Sequence, residues 1–270
     1  MLAIIVFVIY FCACLWLFAS AHSATNETGA HGKRLAGVAM GILGWLIHGY
    51  ELCRAVFSGP TLALDSADTA SLIGWIIAAI TLIKAWNQPR FAAIAGMLLL
   101  GAGISAALTD DGTRIFSTSQ PGWELTAHIL IAVVAYALIA VGASLALGLY
   151  ILDRRLRSHK PLGWMKTLPS IEGLENGMFQ AITVGFALLT LTLFSGFVFV
   201  RDLLAQHLVH KAALSCVAWL ILGILLWGHW RLGWRGRTAA QWALGGFVLL
   251  GLAYFGTKFV LEVLLGRHWG

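Results

Sequence analysis

Residues 124–157 read ELTAHILIAVVAYALIAVGASLALGLYILDRRLR, and no charged residue interrupts them between Glu124 and Asp153. A helix needs about 20 consecutive apolar residues to cross a hydrocarbon core of roughly 30 Å. This run exceeds that length and closes on Arg154, Arg155 and Arg157. A helix that is apolar all round has to be buried, in a core or in lipid. The pattern recurs along the chain. Apolar stretches cover about 1–21, 35–57, 69–86, 91–109, 124–151, 178–200, 212–230 and 239–264, with short polar breaks between them. The fold class that follows is all-α, a polytopic membrane helix bundle with about eight transmembrane helices.

The positive charges fall on alternate breaks. Breaks one, three, five and seven hold Lys33 and Arg34; Lys84 and Arg90; Arg154, Arg155, Arg157, Lys160 and Lys166; and Arg231, Arg235 and Arg237. These are 12 of the 18 Lys and Arg. The other face has Arg54, Arg114, Arg201, Lys211 and Arg267, offset by Asp65, Asp68, Asp110, Asp111, Glu124 and Asp202. Lysine and arginine collect on the cytoplasmic side of membrane proteins, so both termini are expected on the outer (periplasmic) side. The expected location is the bacterial inner membrane, in multi-pass form.

Composition agrees. Hydrophobic residues make up 59% of the chain and charged ones 11%, against about 25% charged in soluble domains. Eight spans in 270 residues leave almost nothing for a soluble module, so residues 1–270 are expected to form a single membrane domain. A net charge of +6 in a soluble chain would suggest nucleic acid as a partner. Here the basic residues flank span ends, so they report orientation and contact with membrane lipids. Met1–Ala21 lacks a basic leader and is longer than the 7–15 apolar residues of a signal-peptide core, so it is expected to stay as a helix. Cys12, Cys14, Cys53 and Cys216 form no CxxC pair, and neither a disulfide framework nor a zinc site is expected.

Ionisable groups inside a bilayer are costly and therefore informative. Span two carries His48 and Glu51 one turn apart, span eight carries Lys258 and Glu262, His128 opens span five, and His229 closes span seven. His207 and His210 are spaced i and i+3 beside span seven, and His268 follows span eight. There is no HExxH, P-loop or GxSxG pattern. Two chemistries fit this scatter. Imidazoles beside apolar, aromatic walls suit haem iron, and His128 or His229 then has a ligand role. Both also read as helix-end histidines satisfied by a carbonyl. His48, Glu51, Lys258 and Glu262 alternatively suit a small-molecule or ion transporter, or its accessory subunit. Glycines such as Gly37, Gly41, Gly44, Gly142 and Gly148 suit close helix packing. Residues 170–175, SIEGLE, read as a short amphipathic helix lying at the interface.

The run Lys211–Trp219, KAALSCVAW, followed by Leu225–His229, LLWGH, and Gly233–Arg237, GWRGR, resembles the signature of the cytochrome c assembly protein family. These are haem-handling membrane proteins of the CcsA/CcmC type. Leu252–Thr257, LAYFGT, is similar to the family's final helix, and His128 after Pro121, Gly122 and Trp123 matches its histidine after an outer loop. The resemblance is best over 123–258 and closest to the small inner-membrane branch of YpjD-like proteins.

The resemblance implies a membrane haem-handling protein that supports cytochrome c biogenesis, binding or translocating haem through outward-facing histidines. His128 and His268 would be ligands of the haem iron, and His229 a histidine within the membrane. Other cytochrome c maturation components and apocytochrome would be the partners. Haem-presenting members carry a tryptophan-rich WGxxWxWDPKE segment, whereas Asp202–Lys211 here has no tryptophan. That departure argues against enzymatic haem attachment and leaves His207 and His210 as substitute ligands. The distance from Gly256 to His268 is also longer than the family's spacing. The imidazoles are expected to converge on one apolar, outward-opening pocket.

Overall fold

The computed structural model describes residues 2–23, 27–57, 66–108, 122–159, 167–199 and 206–256. These residues form helices α1 (Leu2–His22), α2 (Glu27–Phe57), α3 (Ser66–Asn87), α4 (Ala92–Ala107), α5 (Trp123–Arg157), α6 (Ile171–Phe199), α7 (Gln206–Leu232) and α8 (Gly236–Gly251). A 3-10 turn, Pro89–Phe91, leads into α4, and one π-helical turn, Leu252–Gly256, prolongs α8. Seven of the described helices are long and apolar enough to cross a membrane. The eighth expected span is helical as far as Gly256, and its remainder lies outside the described residues. No strand occurs among the described residues.

The contacts gather into two compact units, one of α1–α4 with Ser158–Ser170 and one of α5–α8. In each, successive helices pack side by side and the fourth returns to the first, so each is a closed four-helix ring. Partner positions show the antiparallel run. Along α5 and α6, His128 meets Ser195, Ile139 meets Gly185, and Gly142 meets Ile182. Glycine makes that approach possible, since a Cβ on Gly185 would lie 2.7 Å from Ile139 Cγ1 and one on Gly142 would lie 2.6 Å from Ile182 Cγ1. Gly37 and Gly44 serve α1 and α2 in the same way, against Leu17 and Tyr10. Without a hydrophobic force between helices in lipid, this close van der Waals packing is a main source of association.

The core of the first unit is built from Val6, Tyr10, Ala13, Leu17, Val38, Leu82, Leu99 and small alanines. Phe194 and Phe197 on α6, 69% and 79% exposed, face outward as lipid-facing residues do. The four cysteines are free.

One expectation is corrected. Residues 171–175 are not a separate interfacial helix; they are the first turns of a continuous α6. Glu172 in the first turn complements the positive helix end, and Leu174 is fully buried with Glu175 only 5% exposed. A buried start leaves no reason to break the helix and lie along the membrane surface.

Candidate functional site

His128 stands in the second turn of α5 and is half-buried. Its Nδ1 lies 2.8 Å from Ser195 Oγ on α6. That hydroxyl donates its single hydrogen to the Thr192 carbonyl at 3.0 Å. With its hydrogen on that carbonyl the hydroxyl accepts from the histidine, the arrangement in which Nδ1 carries the proton and the lone pair of the neutral ring sits on Nε2. Gly196 completes the seat. A Cβ there would come 3.1 Å from His128 Cε1, so glycine lets the ring settle against α6 without displacement. Neither Ser195 nor Gly196 stands out in the sequence, because Ser195 lies 67 residues from His128 and Gly196 is its neighbour.

His229 occupies the last turn of α7. Its ring stacks on Phe179 of α6, with centroids 3.6 Å apart and planes inclined by 20°. Its Nδ1 lies 2.9 Å from the Trp234 carbonyl. A carbonyl can only accept, so here too Nδ1 bears the hydrogen and Nε2 the lone pair. The corner that supplies this carbonyl uses nearly every residue of GWRGR. Gly233 and Gly236 adopt φ of 66° and 57°, the left-handed region where glycine pays no Cβ penalty. Trp234 N–H donates to the Gly228 carbonyl at 3.1 Å, and its indole lies where a Cβ on Gly228 would intrude. Arg235 Nε donates to Glu175 Oε1 at 2.8 Å, and Gly236 N–H to Glu175 Oε2 at 3.3 Å. That hydrogen bond, with the carboxylate's charge, raises the Arg235 pKa above its ordinary value. Arg237 rests on the Tyr150 ring of α5, 5.4 Å from its centroid.

These two histidines do not converge. Ser195 marks the level of His128 on α6, and Phe179 marks that of His229. Sixteen helical residues separate the two levels, about 24 Å at 1.5 Å per residue. The single pocket expected from the sequence is therefore replaced by two stations at opposite ends of the α5–α8 unit. The antiparallel crossing of span-length helices forces this, because one imidazole opens α5 and the other closes α7.

The remaining candidates separate further. The backbone places His207 and His210 on the opening turns of α7; their side chains, and His268, Lys258 and Glu262 entirely, lie outside the described residues. His48 is 1% exposed within the first unit. Its Nε2 is 2.8 Å from Ser71 Oγ and its Nδ1 3.5 Å from the Tyr10 hydroxyl. Glu51, half-buried one turn on, has partners of its own. Among the described residues no three His, Cys, Asp or Glu side chains group as a metal cage.

In the second unit a polar seam crosses between helices. Tyr136 donates to the Leu250 carbonyl at 2.9 Å, two residues before the π-helical turn begins, and meets Tyr254 edge-on at 5.8 Å. The Lys211 ammonium lies 5.7 Å from the Tyr254 centroid.

The sequence pattern of the cytochrome C assembly protein family matches residues 89–265. The chain belongs to that family. The match begins at the 3-10 turn before α4, earlier than the sequence reading placed it, and takes in both histidine stations. Inner membrane protein YpjD of Escherichia coli K12 is 32% identical over 214 residues, covering 77% of this chain and 78% of that protein. Cytochrome c biogenesis protein CcsA of a Synechococcus species (strain CC9902) is 27% identical over 214 residues, covering 69% and 70%. No solved structure matches the chain. As a member of this family with seven described spans, it is a multi-pass membrane protein.

Proposed function

We propose that the protein handles haem in the bacterial inner membrane in support of cytochrome c biogenesis, and that His128 offers its Nε2 to the haem iron. The observation that carries this reading is the Ser195 hydroxyl behind His128. Imidazole ligands typically donate their far N–H to a fixed acceptor, which sets the tautomer and aims the ring. His128 has the heavy atoms for that arrangement, with Ser195 Oγ, able to accept, 2.8 Å from Nδ1 and Nε2 without a hydrogen-bond partner among the described residues. The donor chemistry thus fits a haem ligand. Haem, when bound, supplies an iron centre that accepts the imidazole electron pair. The protein's own work is to hold the ring, fix its proton at Nδ1 and surround the cofactor with apolar side chains.

His229 is the second station, at the end that Arg231, Arg235 and Arg237 assign to the cytoplasm. Haem taken up near His229 and held near His128 would be translocated across the bilayer. His268, His207 and His210 offer the further outer imidazole. Attachment of haem to apocytochrome belongs in this reading to other maturation components, and the protein itself is a carrier rather than an enzyme.

Titration of the purified, detergent-solubilised protein with haem tests the proposal. The wild type is expected to develop a Soret band and His128→Ala to lose most of it; a band indifferent to His128→Ala overturns the assignment. Ser195→Ala leaves the ligand but frees its tautomer and orientation, and is expected to weaken haem binding about 10-fold, in the range found for partners behind metal-bound histidines. Equal affinities for Ser195→Ala and wild type would remove the hydroxyl from the site.

A further inference from the structure

The α7–α8 corner contains a device that sets which nitrogen His229 presents. The carbonyl that accepts from Nδ1 belongs to the peptide unit joining Trp234 to Arg235. Arg235 and Gly236, the next two residues, are both held by one carboxylate, Glu175. Glu175 is itself buried, with a side chain 7% exposed, while that of Arg235 is 65% exposed. The carboxylate is thus the fixed partner and the arginine the movable one. Phe179 lies one turn beyond Glu175 on α6, and its ring sets the plane of the imidazole. One face of α6 therefore fixes both the ring and the acceptor against which the ring donates. A solvated histidine prefers its proton on Nε2, so the tautomer enforced here is the opposite of the free one. His229 Nε2 has no hydrogen-bond partner among the described residues, and the residue is only partly buried.

We propose that Glu175 is a positioning residue for His229: by anchoring Arg235 and Gly236 it keeps the Trp234 carbonyl on Nδ1 and leaves Nε2 as the electron-pair donor. The use of that donor rests on the haem reading above, whereas the tautomer does not. Glu175 acts on no ligand directly. Its effect reaches the imidazole through a single peptide unit, and the two left-handed glycines make that unit rotatable once the anchor is gone.

The test uses the full chain, labelled with nitrogen-15 histidine, in lipid nanodiscs. Nitrogen chemical shifts distinguish the two tautomers, and the His229 signals are the ones lost in His229→Gln. The wild type is expected to show His229 protonated on Nδ1 alone. Glu175→Gln and Arg235→Gln are expected to show a mixture in which the Nε2–H form predominates, together with haem binding weakened about 10-fold. Retention of the pure Nδ1–H form in either folded variant overturns the proposal. Arg235→Gln changes an exposed side chain, so it decides the matter even where Glu175→Gln fails to fold. If the tautomer relaxes but wild-type haem binding is indifferent to His229→Gln, the role of His229 in haem handling falls and the positioning role of Glu175 stands.

Discussion

Gly185→Val is expected to destabilise the α5–α8 unit by about 3 kcal/mol, at the upper end of the usual effect of overpacking a well-filled core. The new side chain has nowhere to go. Its Cβ would meet Ile139 Cγ1 at 2.7 Å, the Ile139 backbone nitrogen at 3.2 Å and the Ala135 carbonyl at 3.3 Å. An isoleucine side chain can turn, but two backbone atoms of α5 cannot, so α5 and α6 must part. Gly185→Ala carries the Cβ without the two methyl groups and should cost roughly half as much. Gly245→Ala is the control. A Cβ on Gly245 meets nothing within 4 Å, and alanine in a helix interior is favoured over glycine by about 0.8–1.0 kcal/mol. Denaturant or thermal unfolding in detergent should therefore order the proteins Gly245→Ala, wild type, Gly185→Ala, Gly185→Val. A Gly185→Val protein as stable as wild type would mean that the α5–α6 contact does not govern the stability of this unit. The same variant should disturb His128, because its Ser195 seat belongs to the same interface, ten residues or about 15 Å further along α6.

This interface also shows what could be read from the amino-acid order and what could not. The spans were legible because hydrocarbon thickness imposes a length that any apolar run either meets or misses. Glycine at packing positions was legible as a tendency: Gly37, Gly44 and Gly142 do sit at close approaches, whereas Gly148 has a free margin, with the nearest Leu174 atom 3.8 Å from its Cβ position. His128 and His229 stood out because imidazoles at span ends are few. Their settings did not. Ser195 and Gly196 behind His128, and Glu175 and Phe179 behind His229, all come from α6, which carries no ligand candidate itself. A serine in an apolar helix reads as a residue back-bonded to its own carbonyls, which Ser195 also is, and only the crossing of α5 shows its second bond. The GWRGR motif was recognisable as a string, but the reason for each residue appears only in the corner it builds. Equally hidden was the distance between the two histidines, which depends on how far along antiparallel helices each lies rather than on their shared chemistry.

His48→Ala is expected to destabilise the α1–α4 unit by about 2–3 kcal/mol, combining an unfilled volume with two stranded hydroxyls. His48, Tyr10 and Ser71 are each exposed by 1% or less. The imidazole is the partner of both hydroxyls, at 2.8 Å to Ser71 and 3.5 Å to Tyr10, and among the described residues neither has another. Hydrogen bonds between membrane helices average about 0.6 kcal/mol, with a maximum near 1.7, so the polar part alone is modest and the lost packing supplies the remainder. His48→Gln retains a donor and an acceptor in a smaller volume and should recover about half of the loss. These values separate two uses of a buried histidine. A ring that links α1, α2 and α3 through fixed bonds changes stability in proportion to what replaces it, and its loss leaves the haem binding proposed for His128 in the other unit intact. A ring that carries protons or ions along a transport route needs access and motion, so His48→Ala would abolish flux while leaving the unfolding midpoint close to wild type. Near-complete burial and two simultaneous hydrogen bonds favour the first. A stable His48→Ala protein that had lost ion flux would reverse that conclusion and make the α1–α4 unit, rather than the histidine stations of α5–α8, the working part of the molecule.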